Sequence, residues 1–217
     1  MPGSLRFWPD ERAEPTHGGA VGDFNVISDV SSILERRLDD AMQTLGVSGL
    51  PPPRAVLHDL SDVIPREDAR LTIFLYEIAE DTASRNRPFT RTDPADRAAP
   101  MTNRKPPMAL LLRYLLTAWG GNQVTQHQML GKAMQVLYDD AIFDGTELTG
   151  TLAGSTDTLA LTLTPLTLDQ KSYVWFALQK PFRLSLNYEV RVVNLESTVE
   201  LPGRPVVSRS LVTGVSP

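Results

Sequence analysis

Apolar residues recur along this chain with two different periods, and the switches between them mark out its elements. Between Asp23 and Gly46, Ile27, Val30, Leu34, Leu38, Ala41 and Leu45 fall three and four apart. That spacing lines one face of an α-helix, and Gly46 stands where such a helix stops. Pro51, Pro52 and Pro53 break the pattern, and residues 54–60 offer a short strand. Residues 71–78, LTIFLYEI, are rich in β-branched and aromatic side chains and predict a core strand. Residues 79–107 show neither period, which predicts a long connection without secondary structure, either functional or disordered.

The most apolar run follows at residues 108–119. Its even positions Met108, Leu110, Leu112, Tyr114, Leu116 and Ala118 are all apolar, which is the period of a strand. Arg113 and Thr117, however, lie four apart and suit the polar side of an amphipathic helix equally well. Thr125 and Gln128 then have the spacing of a capping box, and Leu130, Ala133, Met134, Leu137 and Ala141 continue as a helix ending near Asp144 and Gly145. Leu159, Leu161 and Leu163 alternate with polar neighbours and predict a half-buried strand over 158–164. Thr167 and Gln170 repeat the capping box and open a helix of about ten residues through Tyr173, Val174, Ala177 and Leu178, which Pro181 ends. In residues 182–192 every even position is apolar and every odd one polar, so one face is core and the other meets water or another protein. Residues 197–217, with Pro202, Gly203 and Pro205 among small apolar groups, read as an extended C-terminal arm in which Val206 and Val207 are pairing material. Residues 1–22 hold too few apolar side chains to offset the entropy of ordering them and read as a flexible leader without a signal-peptide stretch, so secretion by the signal route is not expected.

Composition narrows the function. A chain of 217 residues, 41% hydrophobic, suffices for one sizeable domain, here expected over 23–196. A net charge of −5 argues against nucleic-acid binding, which needs cations gathered on one face. The apolar run at 108–119 is well short of the roughly 20 residues of a membrane-spanning helix and carries Arg113, so membrane insertion is not expected. With no cysteine, disulfides and thiolate chemistry are excluded. His58, Asp59 and Asp62, with Glu67 and Asp68 beyond, could form a carboxylate-rich cation site and a small active site, but the bland reading is a set of turn residues. Asp139, Asp140 and Asp144 read as solvated turn positions. No nucleophile stands at a known spacing from a base, so the expectation is a protein that is not an enzyme and uses no cofactor. The loop is the asymmetric segment: Arg85, Arg87, Arg91, Arg97, Arg104 and Lys105 outnumber Asp81, Asp93 and Asp96. Arginine binds carboxylates bidentately, so the loop reads as an arm that orders against an acidic partner, with Phe89 adding apolar contact, or equally as a solvated loop.

Five stretches occur in a telling order: FNVISDVSSILERRL (24–38), RLTIFLYEI (70–78), PPMALLLRYLLTAWG (106–120), HQMLGKAMQVLYDD (127–140) and YVWFALQKPFRLSLNYEVRVV (173–193). Together they resemble the N-terminal domain of the tail-terminator or cap proteins of contractile injection systems, phage-tail-like particles made by bacteria. The resemblance covers roughly residues 24–196 and implies an α+β fold, a small mixed or antiparallel sheet flanked by helices. It also implies that PPMALLLRYLLTAWG (106–120) is a strand, with Met108, Leu110, Leu112, Tyr114 and Leu116 facing the helices. By the same resemblance the protein is a homohexameric ring that closes the end of the particle distal to the baseplate, ends polymerisation of the inner tube and holds the last sheath ring. Its partners would be copies of itself, the sheath protein and the inner-tube protein, with assembly in the bacterial cytoplasm before any release of the particle. A chaperone or binding module for tail subunits that stays out of the particle is the alternative from another class.

Overall fold

A computed structural model of the chain describes residues 23–46, 51–62, 64, 68–85, 90–92, 102–155 and 157–202. The first helix, α1 (Val26–Gln43), buries Val26, Val30, Ile33, Leu34, Leu38, Ala41 and Met42, the face its spacing predicts. Its polar side has a second task. Strand β1 (Arg54–Leu57) pairs in parallel with β2 (Arg70–Glu80), which leaves the N–H groups of Ala55 and Leu57 pointing outward from the sheet edge. Asp39 Oδ1 accepts from Ala55 at 3.0 Å and Glu35 Oε1 accepts from Leu57 at 2.8 Å. This edge is thereby closed to an added strand by carboxylates of α1.

The run that sequence leaves undecided is strand β5 (Met108–Trp119), central in a six-stranded mixed sheet. β2 lies on one side of it, and β8 (Ser185–Leu195), β7 (Leu159–Leu163) and the two-residue β6 (Ile142–Phe143) follow in order on the other. Leu110, Leu112, Tyr114, Leu116 and Ala118 join the main core beneath α1 and helix α2 (Gln123–Asp139). Met108, expected among them, is 46% exposed because it stands at the end of the strand. Tyr114 is tied to α1 through a 2.9 Å hydroxyl contact with Ser31, and burial pushes its phenol up to about 12. The odd side of β5 is covered as well. Leu115 and Trp119 pack with Leu60, Ile64 and Trp175 of helix α3 (Leu168–Ala177) in a second cluster on the opposite sheet face. A strand covered on both faces reads as a continuous apolar run, which is why its period is blurred.

Two irregularities accompany the curl of the sheet. β2 carries one extra residue at Tyr76, between the pairs Leu75–Tyr114 and Glu77–Arg113. β8 carries another between the pairs Leu110–Val193 and Leu112–Val190. Each inserted residue bends its strand and sharpens the local twist.

Several expectations need correction. The cap of α2 is Asn122, whose side chain accepts from Thr125 N–H at 2.9 Å; Thr125 itself is buried inside the first turn, so its hydroxyl caps nothing. α2 ends at Asp139, before β6, and not near Gly145. The capping box of α3 is present in both directions, between Thr167 and Gln170. β8 begins at Ser185, leaving Phe182 and Leu184 exposed in the connection. Its odd face is mostly shielded from water, because Ser185, Asn187 and Glu189 are all buried, although Arg191 is exposed. Asn187 is held by specific partners: the Tyr76 hydroxyl donates to Asn187 Oδ1 at 2.6 Å, and Asn187 Nδ2 donates to the carbonyl of Thr164 at 3.0 Å. The Ser185 hydroxyl is buried without a hydrogen-bond partner among the described residues. Alternation here records buried polar groups rather than contact with water.

The long connection also differs from expectation. β2 runs to Glu80, a short turn of 3-10 helix spans Thr82–Ser84, and strand β3 (Thr90–Thr92) pairs antiparallel with β4 (Thr102–Arg104). β9 (Glu200–Pro202), within the expected arm, pairs with β4 of the same chain and completes a three-stranded sheet. Strands of three residues are too short to display a period, so sequence reads them as coil. The expected leader, residues 1–22, lies outside the described residues.

The turn from β5 to α2 shows one strict backbone requirement. Gly120 has φ +71°, and a Cβ there would stand 2.1 Å from the carbonyl oxygen of Asp68. Gly120→Ala should lower stability by at least about 2 kcal/mol, the cost of a left-handed residue plus displacement of the 68–69 backbone. An unchanged urea midpoint would contradict that packing.

Candidate functional site

Of the basic residues expected to form an interaction arm, Arg85 and Lys105 are brought to one cleft of about 480 Å³ beside the Pro106–Pro107 pair. Arg85 lies 3.7 Å from Glu80, and Arg104 pairs with Glu196 at 3.5 Å. Glu80 and Glu196 therefore offset part of the positive charge that the linear sequence displays. Arg91 lies in β3, opposite Asn103. Arg87, Phe89, Arg97, Val206 and Val207 lie outside the described residues.

The His58 cluster is a turn. His58 Nδ1 accepts the N–H of Leu60 at 2.8 Å, and Asp59 Oδ1 accepts from the N–H and hydroxyl of Ser61. Among the described residues no three His, Asp or Glu side chains are grouped to hold a metal ion, and no helix is long and apolar enough to cross a membrane. Glu67 lies outside the described residues.

Arg113, out of place in an apolar run, is the centre of a charged row across three strands. It donates to Glu77 Oε2 at 2.6 Å and to Glu189 Oε2 at 3.0 Å, and Arg191 donates to Glu189 Oε1 at 2.8 Å. Burial alone would raise the Glu189 carboxyl, but the hydrogen bonds from Arg191 and Arg113 outweigh it and hold the pKa below the usual glutamate value. The row is structural: it satisfies the buried carboxylate of Glu189.

The surfaces most suited to partners are apolar ones that sequence reasoning missed. α3 buries Trp175 fully, while Leu168, Tyr173 and Phe176 are exposed, Phe176 by 82%. Tyr173 and Phe176, three apart, share the outer side of the helix, and Leu168, seven before Trp175, is exposed at its N-terminal end. The available signal was an α3 segment with apolar residues all round, more than one buried stripe requires. On the other face of the sheet, Met134, Leu137, Tyr138, Leu161, Leu163 and Tyr188 line a groove of about 460 Å³ between α2 and β7. Tyr138 is 83% exposed, and Ile142 and Leu163 are exposed beside it. Soluble monomers rarely leave two such patches without a use.

Comparison with known proteins gives these surfaces a setting. The family model described as the Pvc16 N-terminal domain matches residues 29–209. No curated protein sequence matches. Among solved structures, the fold is similar to the sheath/tube terminator in the extended state of PVC, an extracellular contractile injection system, at 20% identity and TM-score 0.53, over 91% of this chain and 65% of that one. It is similar also to the tube-terminating cap of the anti-feeding prophage AFP, at 22% identity and TM-score 0.51, over 87% of this chain and 60% of that one. This chain thus spans less than two thirds of the length of either structure. The α+β fold is that of the terminators, with helices on both faces of a mixed sheet.

Proposed function

Because the chain belongs to the Pvc16 N-terminal domain family, we propose that it is a structural terminator of a contractile, phage-tail-like particle. The family match over residues 29–209 carries this reading. In it, identical copies form a ring, six in number, at the end distal to the baseplate, where the ring stops growth of the inner tube and holds the last sheath ring. Two exposed apolar surfaces on one subunit are the material a ring requires, since each copy must contact a neighbour on either side. Arg85 and Lys105, in a cleft that Glu80 and Glu196 also line, are then part of a site for an acidic surface of the sheath or a neighbouring subunit, together with Arg87, Phe89, Arg91, Arg97, Arg104, Val206 and Val207. Catalysis has no part in the role, which is consistent with His58 and Asp59 being occupied by turn contacts.

The test is to delete the gene from a producing cell and image the particles. Tubes of irregular length, or sheaths that contract early, are expected. Particles of normal length and stability would overturn the reading, and wild-type particles lacking the protein would favour an assembly chaperone. A finer test reverses Arg85, Arg87 and Arg91 to Glu. The monomer should stay folded while cap occupancy in purified particles falls several-fold, and full occupancy would remove the basic loop from the interface.

A further inference from the structure

We propose that neighbouring copies join head to tail, the outer side of α3 on one copy seating in the α2–β7 groove of the next. The inference rests on the homo-oligomeric reading above and specifies its contact.

Three observations carry it. First, the two surfaces lie on opposite faces of one sheet: Leu161 and Tyr188 of the groove belong to the core under α1 and α2, whereas Trp175 anchors α3 to the second cluster. They cannot cover each other within one molecule, but two copies can bring them together. Second, their charges are opposite. Residues 133–147 carry Asp139, Asp140, Asp144 and Glu147 with no Lys or Arg; Arg37 pairs with Asp140 and also acts on Glu147, which offsets part of this charge. The α3 segment, residues 166–184, carries Lys171, Lys180 and Arg183 against Asp169. Lys171 and Lys180 donate to the backbone carbonyls of Ser185 and Asp62, which leaves their charge uncompensated by those contacts. The opposite net charges of the two segments would favour this docking over the α3–α3 and groove–groove alternatives. Third, the shapes and areas correspond. The outer side of α3 is a ridge carrying two aromatic residues, the groove a concave strip. Those two side chains would bury roughly 300–400 Å² of the ~800 Å² per partner that a stable contact needs. A contact between two different patches repeats from copy to copy and closes when the rotation permits, which is the geometry of a ring.

The experiment uses the full chain and two surface variants, Phe176→Glu and Tyr138→Glu. Both positions are more than four-fifths exposed, so both variants should keep the wild-type circular dichroism and melting temperature. By light scattering after size exclusion, the wild type should be a closed oligomer and each variant alone a monomer. Mixed, they should form a 1:1 dimer and nothing larger, because each retains the one surface the other lacks. A mixture that stays monomeric, a variant that dimerises alone, or a variant that assembles like the wild type would overturn the contact while leaving the ring standing. A wild type monomeric at every concentration, alone and in purified particles, would overturn the oligomeric reading itself. Since the chain has no cysteine, Leu163→Cys with Phe176→Cys gives a second readout. A short bis-maleimide should link the double variant into a ladder of multiples, and each single variant should yield none.

Discussion

Trp175→Ala is expected to destabilise the protein by about 3–5 kcal/mol, the range for truncating a fully buried tryptophan. Trp175 is 1% exposed, and its ring meets Trp119 edge-on with centroids 6.2 Å apart. It is also the one side chain by which α3 is fully buried; Val174 and Leu178 are only partly so. Removing it opens a void against Leu60, Ile64, Leu115 and Trp119 and unpins the helix from the sheet. Chemical denaturation measures the loss, and the near-ultraviolet circular dichroism of the tryptophan pair should collapse with it. The neighbouring residue provides the control: Phe176→Ala should change stability by no more than about 0.5 kcal/mol, because its ring is in solvent. A loss below about 1 kcal/mol for Trp175→Ala would mean that α3 is held by something other than this contact.

Arg113→Leu should cost about 3 kcal/mol, the low end of removing one partner from a buried ion pair, since Arg191 remains on Glu189. The Glu189 side chain is only 5% exposed and cannot turn to water for compensation. Replacing both, as Arg113→Leu with Glu189→Leu, should recover most of the loss, because the uncompensated charge is gone. The double-mutant cycle isolates the pair. Its pH dependence has a definite sign. The folded pKa of Glu189 lies below its unfolded value, so the contribution is fully present above the ordinary glutamate range and is lost as pH falls through the depressed folded pKa. The gap in unfolding free energy between wild type and Arg113→Leu should therefore be constant near neutrality and shrink in acid. A gap that widened as pH fell would show that Arg113 acts through packing or through some other group.

Local rules are enough for α1 and α3. The spacing of Val30, Leu34 and Leu38 and the reciprocal cap of Thr167 with Gln170 involve residues within two turns of one another, and α1 and α3 form as expected from them. The strand at 71–78 is legible for a similar reason, from β-branched and aromatic residues gathered in a short run. The resemblance to terminators is likewise carried by sequence, and the fold comparison agrees with it.

What local pattern cannot supply is which groups meet across the chain. Residues 108–119 satisfy two periods, and β5 is a strand because β2 and β8 flank it along its length. The polar positions Asn187 and Glu189 look solvated until Tyr76 and Arg113 arrive from other strands. Three-residue strands at 90–92, 102–104 and 200–202 exist only as one another's partners. The interaction surfaces belong to the same class. In sequence, Phe176 and Trp175 are two adjacent apolar residues of one helix, and the sheet beneath α3 alone decides that one is core and the other exposed.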